Sequence, residues 1–233
     1  MKLSIIIPVY NEEKTVSTVL DKVSRVKLPC QKEIIIVDDG SSDGTKEQIT
    51  DNIKHKTKDK IKIIFHHQNQ GKGAAVRTGI EAATGDYILI QDADLEYNPD
   101  EIPKLLSPIF QLDKLKNIAV YGSRFQSNYA VIPRLYLWGN KLLTFLTNLL
   151  YETKLTDMET GYKLLPSSFL KKVHLVGNRF EIEPEITAKL VKAKIPIVEV
   201  PISYRSRSHL SGKKLTVRDA WGAVKTLLFN KFN

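Results

Sequence analysis

Four short apolar runs, each followed by a polar cluster, set out the first half of this chain. They are Leu3-Ser4-Ile5-Ile6-Ile7, Glu33-Ile34-Ile35-Ile36-Val37, Lys62-Ile63-Ile64-Phe65 and Tyr87-Ile88-Leu89-Ile90. Continuous runs rich in isoleucine suit strands buried on both faces. Between them the period changes from two to 3.6. Glu12 to about Arg25 puts Val16, Val19, Leu20 and Val23 on one helical face, a second helix starts near Thr45, and Gly71–Ala83 reads as a third. Strand and helix alternate four times, which predicts right-handed βαβ units and a mostly parallel sheet with helices on both faces. The run Lys54, Lys56, Lys58, Lys60, Lys62 reads as a solvated loop.

In such sheets ligands bind at the carboxyl ends of the strands. The residues just past those ends are Pro8, Tyr10, Asn11 and Glu12, then Asp38 and Asp39, then Asn69–Gly73, then Asp92 and Asp94. An extended Asp92-Ala93-Asp94 would send both carboxylates to the same side, toward a single hard cation such as Mg²⁺ or Mn²⁺. An isolated Asp-x-Asp is more often an ordinary turn. Four polar clusters on one rim favour the functional reading. Gly71-Lys72-Gly73 lacks the spacing of a Walker loop, and Val76 stands where a dinucleotide fingerprint needs its third glycine. Those departures count against a P-loop NTPase and a nicotinamide dehydrogenase.

After Asp94 the alternation loosens. Asn98–Phe110 reads as helical despite Pro103 and Pro108, and Ile118–Tyr121 as a strand with Arg124 just beyond its end. Leu135–Tyr151 is an apolar helix carrying Tyr136, Trp138, Phe145 and Tyr151; it fits a membrane interface, and equally a core or dimer helix. Leu215–Phe232 places Val217, Trp221, Val224 and Leu228 on one face with Arg218, Lys225 and Lys231 around it. That is the pattern of a basic amphipathic helix resting on anionic lipid, with packing on the domain as the competing reading.

Composition narrows the picture. The 233 residues suit one domain, read in three stretches, 1–97, 98–214 and a basic terminal helix, 215–233. The net charge of +9 is uneven, for seven basic residues against one acidic follow Tyr204, so the partner of that end is anionic. A single cysteine, Cys30, excludes an internal disulfide and a cysteine-based zinc site, and points to a reducing cytosol. The opening apolar run is too short for a signal peptide, and no apolar run approaches the roughly 20 residues of a membrane span.

The chain resembles family 2 glycosyltransferases of the GT-A fold, in particular the dolichyl-phosphate mannose and glucose synthase group. The matching segments are Ile7-Pro8-Val9-Tyr10-Asn11-Glu12, Val37–Thr45, Asn69-Gln70-Gly71-Lys72-Gly73 and Gln91-Asp92-Ala93-Asp94-Leu95. Tyr121–Arg124, Asp157–Lys163, Glu199–Ile202 with Arg205, and Gly212-Lys213-Lys214 extend the match more loosely. The resemblance implies an inverting transferase in which Pro8, Tyr10, Glu12 and Asp39, with Val37 and Lys72, hold the nucleotide donor. Asp92 would serve the ribose side and Asp94 the metal on the diphosphate. Glu96 stands where some relatives use glutamine as a further metal ligand.

The acceptor bears on mechanism. A hydroxyl nucleophile needs a general base, for which Asp157 and Glu159 are the candidates. A lipid phosphate has a second pKa near ~6 and arrives mostly dianionic, so it needs positive charge instead. Arg124, Arg134 and Arg205, with Lys213 and Lys214, are candidate suppliers, and Arg124 and Arg205 join Asp92 and Asp94 as the expected catalytic set. Resemblance and basic charge together favour a polyprenyl phosphate at an anionic membrane surface, the enzyme lying on its cytoplasmic side, with a homodimer as an option. A nucleic-acid-binding module is disfavoured, because the tail offers apolar residues at helical spacing instead of aromatic platforms. A nucleotidyltransferase would bring a glycine-rich basic loop near the N-terminus, which Pro8–Glu12 is not.

Overall fold

The computed structural model describes residues 1–54, 60–111, 117–127, 130–207 and 217–232. The N-terminal half follows the alternation: β1 (Lys2–Val9), α1 (Val16–Arg25), β2 (Gln31–Asp38), α2 (Thr45–Lys54), β3 (Lys60–Phe65), α3 (Lys72–Ala82) and β4 (Tyr87–Ile90). After a 3₁₀ turn at Pro99–Glu101 come α4 (Ile102–Gln111), β5 (Ala119–Ser123), β6 (Ala130–Val131) and α5 (Arg134–Tyr151). The chain continues through β7 (Lys163–Pro166), α6 (Ser167–Leu170), α7 (Ile182–Lys192), β8 (Ile197–Pro201), β9 (Tyr204–Arg205) and α8 (Val217–Phe232).

Seven strands form one sheet in the order β3-β2-β1-β4-β7-β5-β8. Its pairs are parallel except at β7, which lies antiparallel between β4 and β5. The apolar runs are continuous because both faces are covered. Leu3, Ile5, Ile7, Ile34, Ile36 and Leu89 pack on the α1 and α4 side, whereas Ile6, Ile35, Val37, Ile88 and Ile90 pack on α3 and α7. Alternate residues of one strand thus serve two cores. A third cluster, with Leu143, Tyr151, Met158, Ala188, Ala223 and Leu227, ties α5, α7 and α8 together.

Several expectations need correction. The lysine run is not wholly a loop: Lys60 and Lys62 belong to β3, and Lys62 Nζ donates to the Ala82 carbonyl. The first helix begins at Val16, not Glu12, and β1 runs on through Pro8 to Val9. Six elements carried no sequence expectation: β6, β7, α6, α7, β8 and β9. Val37, assigned to the donor, is fully buried in the core on the α3 side of the sheet and does not reach the cavity described below.

Candidate active site

A cavity of about 380 Å³ opens at the carboxyl ends of β1, β2 and β4. Pro8, Tyr10, Asp39 and Gly71 line one end, Lys72, Asp92 and Asp94 the middle, and Tyr97, Arg124, Glu159, Gly161 and Glu183 the other. The first end is built by Asp39, whose carboxylate is already committed. It accepts from Asn69 Nδ2 (2.8 Å), the Gln70 N–H (3.0 Å) and the Gly71 N–H (2.7 Å), and its Oδ1 lies 2.7 Å from His66 Nδ1. Asp39 therefore shapes the loop 69–71, and the cavity inherits that shape. Gly71 caps α3 at φ +102°, a backbone region that favours glycine. A Cβ on Gly71 or Gly73 would land against the carbonyl oxygens of Asn178 and Gly177, so both glycines let α3 abut the segment before α7.

Asp92 and Asp94 line the same cavity but do not share one partner. The chain turns at Ala93-Asp94, and Leu95 takes φ 62°. Lys72 Nζ sits 2.8 Å from Asp92 Oδ1 and 3.1 Å from Glu183 Oε1. Glu183 also takes the fully buried Lys163 at 2.6 Å, and the two lysines hold its carboxyl below the usual range despite its burial. The same pair of carboxylates keeps Lys72 protonated, raising its pKa although burial works the other way.

Asp94 faces Arg207. That guanidinium binds Glu12 in a fork (2.8 and 3.0 Å), reaches Asp94 Oδ2 at 3.2 Å and lies 3.9 Å from Glu96 Oε1. Glu96 is further fixed by the Arg207 N–H at 2.7 Å and by the Tyr204 hydroxyl. Burial, then the Asp92 and Glu96 carboxylates, push the Asp94 carboxyl up to about 7, with Arg207 pulling the other way. Among the described residues no three His, Cys, Asp or Glu side chains converge into a metal cage. Asp94 and Glu96 nonetheless offer hard oxygen donors, and Mg²⁺ is ordinarily bound through one or two carboxylates plus substrate phosphates. The residues present fit a cation shared with a diphosphate.

At the far end the two base candidates part company. Asp157 is fully buried, and both its oxygens are occupied by Arg124: Nε to Oδ2 and a terminal nitrogen to Oδ1, each at 2.7 Å, with the Arg124 N–H adding a third bond at 2.9 Å. It is buried and does not line the cavity, so neither oxygen reaches a substrate there. Arg124 does line the cavity, over the Tyr204 ring at 5.1 Å, but its charge is balanced by Asp157. This corrects both expectations: Asp157 is not placed as a base, and Arg124 is not a free anion ligand. Glu159 does line the cavity. Burial, with Glu183 and Asp157 nearby, pushes its carboxyl up to about 7 against Lys163 and Arg124.

Arg134 and Arg205 lie outside the cavity wall, both exposed. Arg205 stands opposite Val131 in the β6–β9 pair, three residues before Arg134 opens α5. Lys213 and Lys214 fall outside the described residues. The reading by residue type missed Arg207, Arg179, Glu183, Tyr97 and Tyr204, all in the wall. A signal existed for Glu183, one of three glutamates set at alternate positions in Phe180–Ile186, where a buried helix should be apolar. For Arg207 against Arg205, two positions apart, there was none.

The family model for glycosyl transferase family 2 matches residues 4–173. The chain is 29% identical over 245 residues to dolichyl-phosphate β-glucosyltransferase of Homo sapiens, covering 98% of this chain and 74% of that one. It is 27% identical over 214 residues to dodecaprenyl-phosphate galacturonate synthase of Rhizobium johnstonii, covering 90% of this chain and 60% of that one. Among solved structures, glucosyl-3-phosphoglycerate synthase from Mycobacterium tuberculosis, in complex with Mg²⁺ and uridine diphosphate, superposes with a TM-score of 0.76 at 17% identity. That likeness covers 99% of this chain and 79% of that one, and it establishes the GT-A fold.

Proposed function

The chain belongs to glycosyl transferase family 2, and on that premise we propose that it moves a sugar from a nucleotide diphosphate to a polyprenyl phosphate at a membrane surface. One observation carries the choice of a lipid acceptor. Leu135, Trp138, Leu142, Phe145 and Leu149 form a stripe along α5, each 59% exposed or more. Helix α5 starts three residues after β6, whose partner β9 carries Tyr204 into the cavity wall. The stripe therefore begins a few residues from the strand pair that contributes Tyr204 to the cavity wall. On α8, Ala223, Leu227 and Asn230 are buried, while Trp221, Phe229 and Phe232 are exposed. The two faces of α5 differ: Leu143, Thr147 and Tyr151 pack inward, which fits the core reading, and the exposed stripe leaves the other face for the interface reading. Among the described residues no helix is long and apolar enough to cross a membrane, and attachment by these two faces suits a peripheral protein. The relatives named for dolichyl and dodecaprenyl phosphates support the same acceptor class.

In this reading the donor's nucleoside lies over Pro8, Tyr10 and the Asp39-held loop. Asp94 and Glu96 would hold Mg²⁺ or Mn²⁺. The ion would supply Lewis-acid stabilisation of charge on the leaving diphosphate. An oxygen of the acceptor phosphate attacks the anomeric carbon as the bond to the diphosphate breaks, inverting the configuration. That oxygen carries no proton to remove, since a phosphate monoester is mostly dianionic at neutral pH. The protein's task is then to bring two anions together. In the wall, Arg179 is mostly exposed, 3.3 Å from Asp219, and Arg207 is shared among Glu12, Asp94 and Glu96; Arg134 and Arg205 lie outside the wall, near the start of α5. Arg124 holds the Asp157 loop.

A hydroxyl acceptor remains the second reading, and the raised pKa of Glu159 is the observation that favours it. With Asp157 locked, the base would be Glu159. Radiolabelled donor offered with a polyprenyl phosphate and with the corresponding free alcohol separates the two. Product from the phosphate is expected; product from the alcohol alone would overturn the lipid-phosphate reading.

A further inference from the structure

The loop from Thr156 to Gly161 is pinned at almost every residue. The Thr156 and Asp157 N–H groups donate to the Glu199 carboxylate (2.8 and 2.9 Å). The Met158 N–H donates to Thr144 Oγ1 at 3.1 Å, and the Gly161 N–H to the Tyr97 hydroxyl at 2.8 Å. Lys163 Nζ draws in the carbonyls of Met158 and Thr160. A frame this complete fixes the one side chain it presents to the cavity between those anchors, that of Glu159. Preorganisation by surrounding hydrogen bonds is what a recognition residue needs.

Glu159 Oε1 is shielded from solvent and has no hydrogen-bond partner among the described residues. Glu183 Oε1 shares that geometry, but Lys72 lies 3.1 Å from it. Asp92 is held by Lys72 and Asp157 by Arg124. Buried polar atoms are nearly always paired, so an unpartnered oxygen on a side chain that lines the cavity marks that side chain as a candidate for a ligand group. The loop that carries Glu159 runs against the Asp92–Lys72 pair. A Cβ on Gly161, two residues along the same loop, would stand 2.8 Å from Asp92 Oδ2 and 3.2 Å from Lys72 Nζ.

We propose that Glu159 reads the transferred sugar, its carboxyl pairing with a hydroxyl of the donor's hexose ring. This rests on the nucleotide-sugar reading above and deepens it. Charge decides among the donor's parts. A carboxyl beside Glu183 and Asp157 repels a diphosphate and an acceptor phosphate alike, whereas a sugar hydroxyl is neutral and can donate or accept. A carboxyl that titrates near neutrality matches that versatility. The ring is bonded directly to the diphosphate, so it lies in the cavity that Asp92, Asp94 and Glu159 line together.

Calorimetry with Mn²⁺ tests this by comparing uridine and guanosine diphosphates with UDP-glucose, UDP-galactose and GDP-mannose. Glu159→Ala should bind the preferred nucleoside diphosphate as the wild type does and lose at least about tenfold in affinity for its sugar nucleotide, because a site built around a hydroxyl suffers when its partner group goes. Glu159→Gln should alter the ranking of glucose against galactose. If Glu159→Ala disturbs diphosphate binding as well, the near-isosteric Glu159→Gln carries the test. A sugar-to-diphosphate affinity ratio equal to wild type in the variant that keeps diphosphate binding overturns the proposal. So does an unchanged ratio accompanied by a collapse of kcat, which would make Glu159 a base. A wild-type protein that binds none of these diphosphates removes the donor reading itself.

Discussion

Replacing Asp157 with asparagine gives the sharpest separation of a structural from a chemical role. The wild-type pair is buried at both ends, Asp157 fully and Arg124 with 5% exposure, and is joined by two side-chain bonds of 2.7 Å plus the Arg124 N–H. The amide keeps the shape but offers one acceptor oxygen instead of two and no charge. The Arg124 guanidinium is then left buried without a counter-ion, a loss of about 3–5 kcal/mol where one partner of such a pair is removed. For a chain of this size each kcal/mol moves Tm by about 2–4 °C, so the expected drop is about 6–20 °C. Thermal unfolding followed by circular dichroism measures it. The double substitution Arg124→Met with Asp157→Leu should recover much of the loss, because an apolar pair leaves no orphaned charge. Transfer assayed well below the lowered Tm should retain most of the wild-type kcat. A variant with wild-type Tm and a kcat reduced by about 100-fold or more, the scale of a lost general base, would refute this account.

Glu159 should leave a mark on stability as a function of pH. Its folded pKa, about 7, lies above the ordinary carboxylate value, so the native state binds more protons than the unfolded state between roughly pH 4 and 7. Stability from this group falls as pH rises, and Glu159→Gln should gain on the wild type between pH 5 and pH 8 in urea titrations; a loss would contradict the assignment. Gly73→Ala should cost about 1–3 kcal/mol, since its Cβ meets the Gly177 backbone. Gly139→Ala in α5, where nothing lies within 4 Å, should stabilise by about 0.5–1 kcal/mol; equal effects in chemical denaturation would undo the packing argument. Trp138→Glu with Phe145→Glu, at 71% and 61% exposure, should abolish sedimentation with anionic vesicles and spare Tm. Wild-type binding should weaken as salt rises, and a double variant that still sediments would exclude α5 as the contact.

The period of the apolar positions was enough to specify β1, β2, β4, α1 and α3, because those signals are local: a run buried on both faces, or a helix with one apolar stripe, is written in consecutive residues. Their order also put Pro8, Tyr10, Glu12, Asp39, Lys72, Asp92 and Asp94 on one rim, and all seven line the cavity. The remainder depended on contacts between residues far apart in the chain. Lys163–Pro166 became a strand by filling the gap between β4 and β5, a placement made by partners 42 to 79 residues away. Arg205 and Arg207 are alike as residues, yet Arg205 is exposed opposite Val131 in the β6–β9 pair while Arg207, just past β9, is held by the distant Glu12 and Asp94. Asp157 and Glu159 are alike as acids. Arg124 closes both oxygens of the first, while the hydrogen bonds around the second hold an unpartnered oxygen in the cavity wall. Residue type and spacing set which groups could do chemistry, but burial and pairing across the fold decide which of them are left free to do it.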